Sequence, residues 1–251
     1  MAADSNNRQR PRAGLLLACA IGTLLVAAGV ILGMLNGTGN GPGSDAATDP
    51  LSATSSAPDP EAPPRADGQS ICGLQGGSGA DRATSAPETV WEYQDVTAYP
   101  TSAEFGPAET NPEGVRFCFQ RSPEGALFAA SNAMVQGSGP AARAWANYFL
   151  SEDTENRQEL IEETGTDSDG AGSQSDSRAN IAGFRILSYD GDTARIDVAI
   201  RAISSGRSLY LSTIYDLAWE KGDWKLLPQD QSDPVRYAQI PDLTGYVTWV
   251  Q

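Results

Sequence analysis

The sequence predicts an α+β protein: an N-terminal transmembrane helix, then helices followed by a curled four-stranded antiparallel sheet. Three observations predict it. Ala13 to Leu35 is an uninterrupted apolar run without a charge. Ser122 to Thr164 carries apolar residues at helical spacing. From Asn180 onward the apolar period changes to two, with turn signals between the runs.

The apolar run reads AGLLLACAIGTLLVAAGVILGML, with Thr23 its only hydroxyl. As a helix it covers about 35 Å, enough to cross a hydrocarbon core of about 30 Å. Arg8, Arg10 and Arg12 precede it, and the next basic residue is Arg65. The positive-inside rule therefore puts residues 1–12 in the cytoplasm and the C-terminal part outside, in a single-pass protein of the cell membrane whose first partner is the lipid bilayer. A cleaved signal peptide has a shorter apolar stretch, of about 7–15 residues, and small residues at the cut. Leu16-Leu17-Ala18-Cys19 suits a lipoprotein, but the run continues well past Cys19. Gly22 and Gly29 leave a small-residue face without a strict GxxxG.

Residues 36–68 are mostly Gly, Ser, Thr, Ala, Pro and Asp, with Leu51 the one large apolar side chain. Such a segment cannot offset its ordering entropy by burial, and it reads as a disordered linker. From Asn36 onward 14 basic residues face 31 acidic ones. The resulting field repels a phosphate backbone, which argues against direct nucleic-acid binding by the outer part.

The chain has no histidine. Ser-His-Asp and Cys-His catalysis and every His-ligated metal site are thereby excluded. Asp167-Ser168-Asp169-Gly170 resembles the start of a calcium loop. Counted from Asp167, however, Ala171 and Arg178 stand where such a loop needs oxygen ligands. Neither a cofactor, a metal nor a catalytic constellation is expected, and the chain reads as no enzyme.

Residues 69–121 form a cysteine-containing, irregular extension. Cys72 and Cys118 lie on the exported side, where disulfides persist. Pairing them closes a loop of about 47 residues, worth roughly 4 kcal/mol in the chain-entropy model. Neither belongs to a CxxC motif. Pro87, Pro100, Pro107 and Pro112 argue against a central strand. Trp91, Tyr93 and Phe105 are expected to pin the extension to the folded domain.

Residues 122–230 carry that domain, with 231–251 as a C-terminal extension. Ser122-Pro123-Glu124 combines an N-cap, a proline at the first helical position and an acid in the first turn. The helix runs to Val135 with Gly137 as stop. A second follows Ser138-Gly139-Pro140 with Trp145, Phe149 and either Tyr148 or Leu150 inward. A third spans Asp153 to Thr164 with Leu160 and Ile161 inward, and Thr166 to Arg178 is a solvent loop. Four strands follow, separated by Asp190-Gly191, Ser205-Gly206 and Lys221-Gly222-Asp223. The third strand sets Leu209, Leu211, Thr213, Tyr215, Leu217 and Trp219 on one face. Arg185, Arg195 and Arg201 share a face with Asp197 and Asp216, so cross-strand ion pairs are expected.

Gly183-Phe184-Arg185-Ile186, Asp192-Thr193-Ala194-Arg195-Ile196 and Leu217-Ala218-Trp219-Glu220-Lys221-Gly222-Asp223-Trp224-Lys225-Leu226 resemble the sheet half of nuclear transport factor 2-like (cystatin-like) cones. The anchor, the linker and the helix start Ser122-Pro123-Glu124-Gly125-Ala126 resemble an actinobacterial single-pass membrane family of conjugative and integrative elements. The architecture is similar to that of bitopic type IV secretion scaffold components. The resemblance implies a non-catalytic scaffold or accessory role in the envelope, with other envelope proteins or a second copy as partner. The alternative is a small-ligand module, with Arg201, Tyr210, Tyr215 and Trp219 lining a cone cavity. An enzyme is the third possibility. It would need a buried Asp such as Asp197 or Asp216 as base.

Overall fold

A computed structural model describes residues 68–77, 83–138, 140–167, 178–204, 207–228 and 235–251. The predicted membrane span, residues 13–35, lies outside them, as do the cytoplasmic tail and all of the linker but Gly68. No helix of the described residues is long and apolar enough to cross a membrane.

Three helices precede the main sheet, in the predicted order: α1 (Pro123–Gln136), α2 (Ala142–Phe149) and α3 (Arg157–Asp167). Ser122 caps α1 by accepting the Gly125 N–H at 2.9 Å, with Pro123 at the first helical position. Gly125 is required by space. A Cβ there would stand 1.9 Å from the Gln120 carbonyl oxygen, which folds back over the first turn. Almost every residue of α1 is buried, because the helix touches sheet strands on one side and the extension on the other.

The sheet corrects the predicted fold. Instead of a curled four-stranded nuclear transport factor 2-like cone there are six strands, five of them in one row and the sixth sharing an edge within it. Long antiparallel strands β5 (Arg178–Tyr189), β6 (Thr193–Ser204) and β7 (Arg207–Glu220) make its centre. Strand β8 (Asp223–Leu226) pairs with the C-terminal half of β7, and β9 (Arg236–Ile240) takes the N-terminal half of the same edge. The chain then passes to the opposite edge, where β10 (Val247–Thr248) pairs with β5. The C-terminal residues therefore form part of the sheet. Their strands are too short, and β9 too exposed, to carry a readable period.

The extension, expected to be irregular, contains two small antiparallel pairs: β1 (Val90–Gln94) with β2 (Thr97–Thr101), and β3 (Glu109–Thr110) with β4 (Arg116–Phe117). Two amides of α1 stitch it down. Asn132 donates to the Pro100 carbonyl at 2.9 Å. Gln136 accepts the Arg116 N–H at 2.6 Å and donates to the Arg116 carbonyl at 3.1 Å, standing in for a neighbouring strand. Of the three predicted aromatic pins, Trp91 packs on Trp249 and Phe105 on Phe128, whereas Tyr93 stays exposed.

Candidate functional site

Strand alternation decides where the four predicted lining residues stand. Successive residues of β7 point to opposite faces, so Tyr215 and Trp219 share the face of Leu211 and Leu217, against the helices. Tyr215 is buried, and burial pushes its hydroxyl pKa up. Trp219 meets Trp224 edge-on, with ring centroids 5.2 Å apart. Tyr210 lies opposite Arg201 on the other face, where the Arg201 guanidinium donates to the Ser208 hydroxyl at 3.0 Å. The sheet splits the four residues two and two, and they do not line one cavity.

That other face carries the predicted ion pairs Arg185–Asp197 and Arg195–Asp216, and Arg236 joins the second at 3.2 Å. Asp197 is fully buried. Its carboxylate accepts the Ser212 hydroxyl at 2.7 Å, the Tyr246 hydroxyl at 2.8 Å and the Arg185 Nε–H at 3.0 Å. The hydrogen bond to Asp197 raises the Arg185 pKa further, and burial raises that of Tyr246. Both carboxylate oxygens accept, Oδ1 from Ser212 and Oδ2 from Arg185 and Tyr246, which makes this cluster the fastening of the C-terminal segment over the sheet. Tyr246 was not foreseen, because it lies 49 residues from Asp197.

The Trp-x-x-Gly-Asp-Trp ending has a structural task. Asp223, fully enclosed, accepts backbone N–H groups of Cys118 at 2.8 Å, Phe119 at 2.9 Å and Trp224 at 3.0 Å, and the Tyr148 hydroxyl at 2.6 Å. Burial pushes its carboxyl pKa up, while Lys225 and these donors pull it down. The Trp224 indole donates to the Gln120 carbonyl at 2.9 Å. Gly222 has φ +83°, and a Cβ on it would lie 3.0 Å from the Ile71 nitrogen, which donates to the Gly222 carbonyl at 2.7 Å. Cys72 and Cys118 are joined beside this turn, with Cα atoms 6.0 Å apart. The buried Ser70 hydroxyl lies 3.1 Å from the Cys118 sulfur and accepts the Leu74 N–H at 2.8 Å. One turn thus holds both ends of the disulfide loop.

These clusters are internally satisfied. The β1–β2 hairpin is not. Asp95, at φ +54°, and Val96 close it. Trp91 stands opposite Pro100, whose carbonyl points away from β1 to Asn132. Trp91↔Pro100 is therefore a non-hydrogen-bonded pair, as the missing proline N–H requires. By alternation Tyr93↔Ala98 is another, and the backbone N–H and C=O of Trp91 and Tyr93 point outward. Among the described residues β1 pairs only with β2. Three of the five large apolar side chains exposed among the described residues, Val90, Tyr93 and Val96, sit on this edge. Sequence reasoning missed it because the four prolines argue only against a central strand and the extension reads as irregular, whereas Pro100 sits in a two-stranded pair with no central strand. The alternation of Val90 to Gln94 was the signal available.

Among the described residues no group of three or more Cys, Asp or Glu side chains is placed to hold a metal ion. No curated protein and no solved structure matches the chain. Residues 52–248 match the family described as Domain of unknown function (DUF8175). The match takes in both cysteines, the free hairpin, the three helices and the whole sheet, so the chain belongs to the DUF8175 family.

Proposed function

We propose that this protein is a non-catalytic scaffold or accessory component of the cell envelope, anchored in the membrane by residues 13–35 and docking other proteins through its outer domain. The observation that carries this reading is the edge of β1, unpaired among the described residues, with Val90 and Val96 exposed beside it and Tyr93 exposed apart from its hydroxyl, which donates to the Gln251 side chain at 2.9 Å. Natural sheets protect such edges, and an exposed apolar edge strand is a template for another chain. The joined cysteines support an oxidising compartment, in keeping with the side of the membrane on which the charge bias sets the domain. The resemblance of anchor, linker and helix start supports a conjugative transfer apparatus as the assembly served.

The test is purification of the full chain from detergent-solubilised membranes, with mass spectrometry of what accompanies it. Beside it runs a variant carrying Val90→Ser, Tyr93→Ser and Val96→Ser. Envelope proteins recovered with the native chain and lost from the variant are the expected result. Equal recovery by both, or a chain purified alone as a monomer, removes the docking role. Protease added to intact protoplasts should digest the domain, and its survival there removes the topology.

A further inference from the structure

We infer that the free edge of β1 takes up a basic, extended segment of a different protein as an added strand. The inference rests on the docking role proposed above and names the chemistry of the partner. Three observations select that occupant. The first is the backbone. Trp91 and Tyr93 present on one line N–H and C=O groups that no described residue pairs, and a strand supplies both donors and acceptors at that spacing. A helix packed on the same edge satisfies neither.

The second is charge. From residue 83 to residue 115 the chain has six acidic residues and no basic one, and Glu88, Glu92, Asp95, Glu104, Glu109 and Glu113 are all exposed. Glu88, Glu92 and Asp95 flank the edge; Glu92 also accepts the Tyr99 hydroxyl at 2.8 Å, and the Arg116 guanidinium lies over that ring, 3.9 Å from its centroid, so a cation already stands near Glu92. A partner segment with Lys or Arg at alternate positions sets its cations beside Glu92, on the face that Glu92 shares with Val90, and its intervening apolar residues on the face of Trp91 and Tyr93.

The third observation excludes a second copy. Antiparallel pairing of β1 with β1 of another molecule, centred on Glu92, sets Glu92 opposite Glu92. Other registers still bring two acidic edges together, in a chain with formal net charge −15. Like charges directly opposite each other in a sheet are destabilising. The anionic face of a lipid bilayer is disfavoured on the same ground.

The experiment uses the full chain in a neutral detergent, with three short blocked peptides that alternate Val with Lys, Ser or Glu. Binding is read by fluorescence anisotropy, and strand addition by slowed hydrogen exchange at the Trp91 and Tyr93 amides. The Val/Lys peptide should bind about tenfold or more tighter than Val/Ser, and Val/Glu should not bind. Affinity should fall with added salt. Combining Glu88→Gln, Glu92→Gln and Asp95→Asn should abolish the preference for lysine. Tyr93→Pro removes an outward-facing donor without touching the β1–β2 ladder, and it should abolish exchange protection at the Trp91 amide, the one of the two that this variant keeps. Val/Lys binding that survives Tyr93→Pro unchanged is diffuse charge attraction and overturns the inference.

Equal binding of Val/Ser and Val/Lys, or self-association lost in Tyr93→Pro, overturns the basic partner while leaving the docking role standing. If none of the peptides protects Trp91 and Tyr93 and the triple serine variant keeps the accompanying proteins, both proposals fall together.

Discussion

Asp223 and Lys225 stand two residues apart on β8 and are both buried. Asp223 is surrounded by donors, so its charge is matched. Lys225 donates to the Tyr148 carbonyl at 2.8 Å and stands 3.2 Å from the Tyr148 ring centroid. Burial nevertheless pushes its pKa down to about 8, with Asp223 and Glu220 opposing. Below pH 8 the folded and unfolded chains both carry this proton, and the full cost of enclosing the charge falls on the fold. Between about pH 8 and the ordinary lysine value of 10.5 the folded chain has shed a proton that the unfolded chain keeps, so stability rises with pH in that window. Above pH 10 the half-buried Tyr148 and the buried Tyr215, whose pKa values are raised, reverse the trend. Urea denaturation at pH 7 and pH 9.5 should show the native chain gaining about 2 kcal/mol relative to Lys225→Met. A constant difference between the two chains would show that Lys225 titrates normally.

Among the elements, the extension depends most on a single bond. Cys72 and Cys118 are separated by 46 positions, and the loop between them holds the β1–β2 hairpin and the β3–β4 pair. Replacing both with Ser should lower the unfolding free energy by about 4 kcal/mol, measured by urea denaturation, while the far-ultraviolet signal of the helices and sheet persists. A loss well under 1 kcal/mol would mean that Ser70, Ile71 and Asp223 alone order the loop. The helices were legible in the sequence because their signals are local. Ser122, Pro123 and Glu124 lie within one turn of the α1 start, and Trp145 and Phe149 lie one turn apart on α2. The central strands were legible for the same reason, as were their cross-strand ion pairs. Strands β1 and β2 were not. Pro100 forbids a bond only on the side where β2 needs none, and that side is set by Asn132, 32 residues away. The work of Asp223 was equally hidden, since Cys118 and Phe119 precede it by 105 and 104 positions. The motif was visible, but not what it holds.

Across the whole molecule, the C-terminal segment joins parts that the chain order separates. It begins on the β7 edge, crosses the face where Tyr246 meets Asp197, and ends on the β5 edge. Trp249 then enters the core, with Trp91 and Phe128 each at 5.3 Å and Phe184 at 5.5 Å between ring centroids. Its indole donates to the Thr89 hydroxyl at 3.0 Å. One side chain therefore couples the sheet, α1 and the free hairpin. Trp249→Ala should cost about 4 kcal/mol in urea denaturation and speed hydrogen exchange throughout β1. If exchange in β1 is unaffected, the hairpin is held by Asn132 and Gln136 without the C-terminus. No local pattern announced this role: Val247-Thr248-Trp249 is too short for a period, and residues 231–251 read as a tail.

The clasp at Gly222 also bears on mechanics. Tension on the chain ahead of Gly68 reaches the domain through Ser70, Ile71 and Cys72. Those residues are fixed to the β7–β8 turn and to Cys118 rather than to the free hairpin. Such a pull is borne by a covalent bond and the β7–β8 turn, and the docking edge lies off the line of force. A partner seated on β1 could keep its grip while its host is tugged.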